Sequence, residues 1–318
     1  MLSRVADALF WMSRYFERAE QTARLLDVCF HLELDLHGIG AGPHELHWTS
    51  LAATLRQQVP ASHLESSTPQ SALSDWLMFR LDNPDSILSC LARARANARG
   101  IRGSIHPAMW RELNKLYWQL NDAEFRDHAR ESPHEFLQAV ECGSCLFQGI
   151  CDAVCTHDEG WQFIQLGKFL ERADTTLRIL DIQYELLTDL SDPADLPLAN
   201  LEWAAVLRGC QSYDAYQRLH VGRIEPEGVV GFLLLFANSP RSVRFCLEAS
   251  ANALSAIEGR SSRVGFSRPE RILGLMLSDL KYRQLDQILN DPLHAFLGGM
   301  LQHCGEVSHG VQDRYSLH

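Results

Sequence analysis

Apolar residues recur at intervals of three and four along most of the chain, which is the pattern of amphipathic α-helices. The first stripe consists of Val5, Leu9, Met12, Phe16, Ala19, Ala23, Leu26 and Phe30. Successive helical residues turn by about 100°, so these side chains share one face. The stripe predicts a helix of about 30 residues that ends near the glycines of His37-Gly38-Ile39-Gly40.

The same periodicity predicts helices along the rest of the chain, and no segment shows the alternation of a β-hairpin. Pro60–Gln70 is a predicted loop, and Leu190–Leu198 is a predicted linker because it contains two prolines. Ser86 or Asp82 is the expected cap of the helix that follows Asn83-Pro84. A shorter helix after the first is predicted to end at about Val59. Further helices are predicted at about 84–102, 107–120, 133–157, 160–188, 199–217, 225–237, 240–257, 268–289 and 291–312.

One helical segment occurs twice. Residues 15–28 align without gaps on residues 169–182, and 7 of the 14 positions are identical. The identical residues include a Glu-Arg pair, Glu17-Arg18 in the first copy and Glu171-Arg172 in the second. Amphipathic helices share apolar positions by necessity, but shared polar positions indicate a true repeat. The sequence therefore predicts an all-α fold, a helical bundle formed by two diverged pseudo-symmetric helical repeats.

A second pair of segments supports the duplication. Arg99-Gly100-Ile101-Arg102 resembles Arg241-Ser242-Val243-Arg244, so each half contains two arginines that frame an aliphatic residue. We predict a single domain, 1–318, that is internally duplicated into a first repeat at about 1–157 and a second at about 158–318.

Composition limits the classes of function. Of the 318 residues, 46% are apolar and 22% are charged, as in a globular protein, and the net charge is −11. An acidic chain has no surplus of cations for broad nucleic-acid binding and is repelled by anionic membranes, so we expect neither partner. The charged residues of the N-terminal segment interrupt any signal-peptide core. Together with nine cysteines, this predicts a soluble cytoplasmic protein with reduced thiols.

The motifs together resemble the bacterial alpha-E domain family, which is named for its α-helices and its Glu-Arg motif. The resemblance covers nearly the whole chain, and its matching segments are 1–6, 15–20, 92–99, 158–163, 167–174 and 240–245. Proteins of this family are encoded beside, or fused to, circularly permuted ATP-grasp proteins and transglutaminase-like proteases. The resemblance therefore implies a part in ATP-driven amide-bond formation or peptide modification, with these two proteins as partners; a homo-oligomer is also compatible with the sequence.

The Glu-Arg motif has two interpretations. Glu17 and Arg18 point about 130° to either side of the apolar stripe, so each side chain reaches a different neighbour. In the first interpretation the motif carboxylates form buried ion pairs that fix the helix register. In the second, the arginines of both halves converge near the pseudo-twofold axis and bind an anionic group of a nucleotide, peptide or partner. The anion-binding candidates are Arg18, Arg99, Arg102, Arg172, Arg241 and Arg244, with Glu17 and Glu171 as supporting carboxylates.

Other constellations carry less weight. Four cysteines lie on different faces of one predicted helix: Cys142, Cys145, Cys151 and Cys155. We therefore do not expect them to share a metal ion, and we interpret them as small core residues. The tryptophans at 11, 110, 118, 161 and 203 are interpreted as core residues. The sequence contains no Walker A, G-x-G-x-x-G, G-x-S-x-G or H-E-x-x-H pattern, so no cofactor and no metal are predicted.

The predicted function is an accessory or substrate-binding component of an ATP-dependent amide ligase system, with an Arg-lined anion site. One alternative is an enzyme in its own right that acts on a peptide or carboxylate, with Glu17 or Glu171 as general base. A second alternative is a non-catalytic oligomerising scaffold.

Overall fold

The protein is all-α, as the periodicity predicts. The computed structural model describes residues 1–38, 46–63, 68–188, 196–220, 222, 224–259 and 265–315, and in these ranges it contains fifteen α-helices, two short 3₁₀ helices and no strand. In chain order the helices are α1 Ser3–Gly38, α2 Leu46–Thr54, α3 Pro69–Met78, α4 Ile87–Gly100, α5 Pro107–Asn121, α6 Ala123–Glu131, α7 His134–Val154, α8 Glu159–Thr188, α9 Leu196–Gly209, α10 Tyr213–Leu219, α11 Pro226–Leu235, α12 Val243–Glu258, α13 Arg268–Tyr282, α14 Leu285–Asn290 and α15 Leu293–Tyr315.

The chain forms two compact units. The first contains the described residues of Met1–Asp27, Arg56–Lys168 and Tyr315–His318, and the second those of Val28–Leu55 and Phe169–Arg314. These units group residues by their contacts in space, whereas the two repeats were defined along the sequence. The division of the sequence into repeats near residue 157 therefore stays a prediction.

Helix α1 is buried on two faces within the first unit. The predicted stripe from Val5 to Leu26 is buried, as expected, whereas Phe30 is only half-buried. The side of the helix away from the stripe is buried as well, because Glu17 is 1% exposed and Gln21 is 3% exposed. The apolar stripe alone predicts one buried face, whereas the ion-pair interpretation of the motif also placed Glu17 inside the protein.

Several predictions differ from the structure: α3 and α6 were not predicted, α2 ends at Thr54 rather than near Val59, and two predicted helices divide. The predicted 199–217 helix divides into α9 and α10, because Gln211 takes a left-handed conformation (φ 49°) after the end of α9. The predicted 268–289 helix divides into α13 and α14, because Gln284 forms a capping box with Gln287. Helix α3 begins inside the predicted loop at Pro69. Most of the predicted linker 190–198 lies outside the described residues.

Corresponding contacts occur in each unit. Asp27 near the end of the first motif contacts His134 at 2.9 Å, and Asp181 near the end of the second motif contacts His294 at 2.7 Å. Both histidines lie at the start of a long helix, α7 in one unit and α15 in the other. Recurrent polar contacts of this kind are what an internal duplication predicts.

The helices that follow Pro84 and Pro240, α4 and α12, also begin alike. The Ser86 hydroxyl accepts from the Ser89 amide at the start of α4, and the Ser242 hydroxyl accepts from the Phe245 amide at the start of α12. Four residues after each capping serine, a cysteine thiol lies close to the carbonyl of the preceding proline. These two segments share their local hydrogen-bond geometry.

The second pair of sequence segments lies differently in the two units. Arg99 and Arg102 lie at the carboxyl end of α4 and in the 3₁₀ helix after it, whereas Arg241 precedes α12 and Arg244 lies in its first turn. The two Arg-x-aliphatic-Arg segments therefore occupy opposite ends of their helices. The turns that contain Pro84 and Pro240 are the segments with similar cap contacts.

A close approach of α1 and α8 in the first unit depends on Gly167. The Ser13 hydroxyl donates to the Ile164 carbonyl at 2.7 Å, and a Cβ built on Gly167 would lie 2.4 Å from the Phe10 carbonyl oxygen. That distance is shorter than van der Waals contact, so only glycine fits without moving the backbone.

We expect Gly167→Ala to lower the free energy of unfolding by roughly 2 kcal/mol or more, because the added methyl group forces the two helices apart. Gly149→Ala is the matched control: it is a helical glycine whose added Cβ meets nothing within 4 Å, and it should stabilise the protein by about 0.5–1 kcal/mol. Urea unfolding followed by circular dichroism measures both changes. Equal stabilities of the two variants would contradict the close approach.

Candidate functional site

The motif carboxylate Glu17 is held inside the first unit by side-chain amides. Gln21, one turn further along α1, donates from Nε2 to Oε1 at 3.4 Å. Gln148 of α7 donates from Nε2 to Oε2 at 3.3 Å, and its amide also lies 3.3 Å from the Ser144 hydroxyl. Because buried carboxylates are costly without hydrogen bonds, these donors are part of what keeps Glu17 in place.

Glu17 lines a pocket of about 300 Å³, measured with the solvent at its mouth, whose interior accommodates roughly one water-sized group. Two stacked rings, Phe16 and Phe147, form an apolar wall with centroids 4.5 Å apart. The pocket lies among α1, α7 and α8, and its polar lining consists of Ser13, Glu17, Gln148, Cys151, Gln165 and Lys168. It therefore presents a carboxyl group, an amine and two carboxamides beside an apolar wall.

The nucleophilic groups of the pocket are not activated. The Ser13 hydroxyl donates to a backbone carbonyl. Burial, followed by the neighbouring Cys155, raises the pKa of the Cys151 thiol to about 12, and the opposing effect of Lys168 is smaller. Since a thiol reacts as its thiolate, this cysteine is inert at neutral pH. The chemistry of the lining suits binding of a small polar group.

Arg18 and the arginines of α4 lie apart in the first unit. Arg18 forms an ion pair with Asp85, just before α4 begins. Arg99 lies in the last turn of that helix, which is about 20 Å long at 1.5 Å per residue, and Arg102 lies just beyond it. Both are exposed, and the Arg102 guanidinium lies over Trp110 at 5.4 Å. These three anion-binding candidates do not form one site within the first unit.

Two arginine candidates lie close together in the second unit. Arg172, over the Phe169 ring at 5.4 Å, donates from Nη1 to the Pro240 carbonyl at 3.2 Å. The next residue, Arg241, is buried; its guanidinium donates to Gln211, and its carbonyl accepts from the Thr176 hydroxyl at 3.1 Å. The motif arginine and Arg241 are thus committed to contacts that fix the turn before α12.

The remaining second-unit candidates are also held. Glu171 is 2% exposed. Arg244 lies 3.2 Å from Glu248, and Lys281 of α13 lies 3.2 Å from the same carboxylate oxygen. Convergence of the arginines of both halves on one anion stays a prediction.

Two expectations about buried residues were wrong. Cys151 is a core cysteine, but Cys142 and Cys145 are exposed on the outer face of α7. Trp203 is a core tryptophan, but Trp118 is 59% exposed on α5. The sequence pattern did not distinguish these positions because cysteine and tryptophan were counted as apolar wherever a helical stripe allowed it.

Comparison with known proteins gives one family. The family profile of Alpha-E, described as a predicted alpha-helical domain with a conserved ER motif, matches residues 1–315. The chain belongs to the Alpha-E family. Glu17 of the first repeated Glu-Arg pair lines the pocket of the first unit.

Similar proteins occur in mycobacteria. This Alpha-E chain is 26% identical over 321 residues to uncharacterized proteins of Mycobacterium bovis and of two strains of Mycobacterium tuberculosis. The match covers 94% of the chain but 35% of each relative, so the chain spans about a third of their length. No solved structure matches it significantly. In the described part of the chain, no helix has the length and apolar character needed to cross a bilayer.

The second unit contains a buried carboxyl group that no sequence motif marks. Glu202 on α9 is 3% exposed, and its Oε1 has no hydrogen-bond partner among the described residues. It lies one turn before Ala205, which packs on Leu32 and Leu36. Burial raises the pKa of Glu202 to about 7. A lone glutamate in an apolar-rich helix was the only indication available in the sequence.

The titration of Glu202 predicts how stability depends on pH. Its folded-state pKa exceeds the ordinary value of 4.5, so the folded Alpha-E chain binds more protons than the unfolded chain between about pH 4.5 and pH 7. The free energy of unfolding should therefore fall as the pH rises through this window. Glu202→Gln removes this loss and should stabilise the protein above pH 7 by up to roughly 3 kcal/mol.

Urea unfolding from pH 5 to pH 8 measures this effect, with Glu131→Gln, an exposed glutamate of α6, as the control. The wild type and the control should lose stability in parallel, while Glu202→Gln should not. If the free energy of unfolding of Glu202→Gln depended on pH as that of the wild type does, the assignment of the pH dependence to Glu202 would be contradicted.

The thiols of α7 should react unequally. Iodoacetamide at pH 8 should modify the exposed Cys142 and Cys145 within minutes, and should modify Cys151 only after unfolding, because burial keeps its thiol protonated. Peptide mapping by mass spectrometry measures each site, with the urea-unfolded chain as the reference for full reactivity. Rapid native modification of Cys151 would show that the pocket contains an activated nucleophile.

Proposed function

We propose that this Alpha-E chain is a substrate-binding accessory component of an ATP-dependent amide ligase, or ATP-grasp, system that modifies peptides. The observation that carries the proposal is the pocket that the motif residue Glu17 lines together with Lys168, Gln148 and Gln165. A carboxyl group accepts hydrogen bonds, an amine donates them, and a carboxamide does both. Since the interior accommodates roughly one water-sized group, the part of a ligand that fits it is the terminal amine, or a single terminal oxygen, of a peptide side chain.

The pocket supports binding more than catalysis. Its serine hydroxyl donates to a backbone carbonyl, and its cysteine has a raised pKa, so neither is prepared for nucleophilic attack. The enzyme alternative, with Glu17 as general base, would require turnover by the isolated chain. The proposal instead assigns the ATP-dependent step to a circularly permuted ATP-grasp partner.

The length of the relatives also favours an accessory role. In the mycobacterial proteins, the part that resembles this chain occupies 35% of a longer polypeptide. A domain that is covalently joined to further sequence in relatives is a reasonable candidate for a component that acts together with another protein here. A transglutaminase-like protein is the second partner that we propose for the system.

Binding and activation test the proposal. Ligand-observed NMR with glutamine, glutamate and an alanyl-glutamine dipeptide should detect binding to the wild type. Glu17→Gln and Lys168→Met should each weaken it by about tenfold, because each removes a charge-assisted hydrogen bond. Activation of peptide ligation by an ATP-grasp protein of the same genome should fall in parallel.

Arg268→Ala, which removes an exposed arginine of the second unit, is the matched control and should behave as the wild type. Thermal unfolding confirms that each variant is folded. Wild-type binding by both pocket variants would rule out the pocket as the substrate site. Ligation or hydrolysis by the isolated chain would replace the accessory role with the enzyme alternative.

A further inference from the structure

A segment of the first unit has an unusual charge for this chain. Between Asp85 and Glu112 the sequence contains five arginines and no acidic residue, although the whole chain has a net charge of −11. The segment includes α4, the 3₁₀ helix Arg102–Ser104 and the start of α5. A local concentration of one charge in a chain of the opposite charge requires an explanation.

Three of these arginines share one flank. Arg95 and Arg99 are four residues apart on α4, so they lie about 40° apart around the helix, and Arg102 follows in the 3₁₀ helix. Seven helical residues rise by about 10 Å, which sets the length of the row. The flank lies beside α5, whose residues Trp110 and Trp118 contact the arginines.

Aromatic rings hold two of the three arginines, Arg95 and Arg102, in place. The Arg95 guanidinium lies 4.6 Å from the Tyr117 ring centroid, 5.3 Å from Trp118 and 5.6 Å from Trp110. Its Nε donates to Asn114 Oδ1 at 2.8 Å. Stacking on ring faces fixes the plane of the guanidinium and leaves its edge for bidentate contacts with an anion.

The row has no carboxylate partner of its own. Within the described residues, no Asp or Glu oxygen lies within 4 Å of Arg95, Arg99 or Arg102, whereas Arg18 and Arg24 of the same unit form ion pairs. Arginines that project from the same side of one helix repel one another modestly, and an anion between them would relieve this repulsion. The three guanidinium groups therefore offer an uncompensated positive surface.

The exposed indole of Trp118 adds an apolar element. At 59% exposure it lies against Arg95 and leaves much of its ring in solvent. Tryptophan, tyrosine and arginine are the residues that most often dominate binding energy at protein–protein interfaces. Their combination here is typical of a surface that recognises a polypeptide.

We propose that Arg95, Arg99, Arg102, Trp110 and Trp118, the arginine–tryptophan surface, dock an acidic segment of a partner protein. The carboxylates of that segment pair with the guanidinium edges, and an apolar side chain covers Trp118. The inference rests on the proposed role beside a partner, but it does not depend on the pocket at Glu17.

A protein segment fits this surface better than a nucleic acid does. The row is about 10 Å long, which matches three or four residues of extended chain. Nucleic-acid binding by charge needs many phosphate contacts, and the acidity of the remainder of the chain opposes a long polyanion. A short run of carboxylates presents complementary charge without approaching the acidic surfaces elsewhere.

Fluorescence anisotropy tests the docking of a defined probe. The probe is a fluorescein-labelled peptide of about twelve residues in which glutamate alternates with leucine and glycine, long enough to extend past both ends of the row. The wild type should bind it at low ionic strength, and binding should weaken as salt is added. A matched peptide with glutamine in place of glutamate should bind at least tenfold more weakly.

Variants locate the site. The double variant Arg99→Ala and Arg102→Ala, and separately Trp118→Ala, should each raise Kd by about tenfold, because one removes the carboxylate partners and the other the apolar contact. Arg268→Ala, an exposed arginine of the second unit, should stay within about twofold of the wild type. The three surface residues are exposed, so thermal unfolding should be little changed.

Pocket variants separate this inference from the proposed function. Glu17→Gln and Lys168→Met should bind the acidic peptide as the wild type does, and the Arg99 and Arg102 double variant should retain the pocket ligand while losing complex formation with the ATP-grasp protein. If the pocket variants do not weaken binding of the pocket ligand, while the double variant does weaken binding of the acidic peptide, the docking surface stands without the proposed substrate site.

Three results would overturn the docking proposal. Equal weakening by Arg268→Ala would mean that the peptide binds by overall charge. Tighter binding of a labelled oligouridylate, lost in the same variants, would make the surface a nucleic-acid site. Self-association that light scattering detects and Trp118→Ala abolishes would make a second copy of the chain the occupant.

Discussion

A helix that is packed on both faces must satisfy its charged side chains within the protein, and α1 is constrained in this way. Glu17 and Glu20 are buried to the same degree as the apolar stripe of the helix. Glu17 accepts hydrogen bonds from two glutamine amides, and Glu20 Oε1 accepts from both Nε and Nη2 of Arg24. The Gln148 amide joins the buried carboxyl group of α1 to α7, so the positions of these two helices depend on each other.

The sequence predicted the fold class because helical periodicity is a local property that each segment carries for itself. It predicted α1 and α8 nearly to the residue, since long apolar stripes and terminal glycines define them. It did not predict the breaks at Gln211 and Gln284, because neither is a glycine or proline and both breaks depend on capping contacts. Local pattern therefore established the helices, while the breaks within them depended on particular side-chain contacts.

The candidate site shows the same limit. The repeated Glu-Arg pair identified Glu17 as important, but the partners that define its pocket, Gln148 and Lys168, are distant in sequence and carry no motif of their own. The Arg-x-aliphatic-Arg segments could be paired by sequence, but their positions at opposite ends of their helices required the structure. The capping serines, Ser86 and Ser242, share their local geometry because each caps the start of a helix.

The arginines of the first unit divide into two classes by their neighbours. Arg18 and Arg24 are neutralised by carboxylates, so they contribute to the packing of the motif helix. Arg95 and Arg102 of the arginine–tryptophan surface are held by aromatic rings, which orient the charge without neutralising it. A protein that only needed to fold would gain by placing one of its many acidic residues beside them.

The pocket and the arginine–tryptophan surface share a structural support. Helix α5 packs closely against α7, where a Cβ built on Gly143 would lie 2.8 Å from the Leu116 side chain, and α7 supplies Phe147 and Gln148 to the pocket. Close packing of this kind resists gradual deformation, so a partner docked on α5 would be held at a fixed distance from a group bound beside Glu17. Fixed separation raises the effective concentration of one ligand for the other without catalysis by the protein itself. The architecture of the first unit thus favours a rigid platform for two ligands, which is the physical form that an accessory component of a ligase would need.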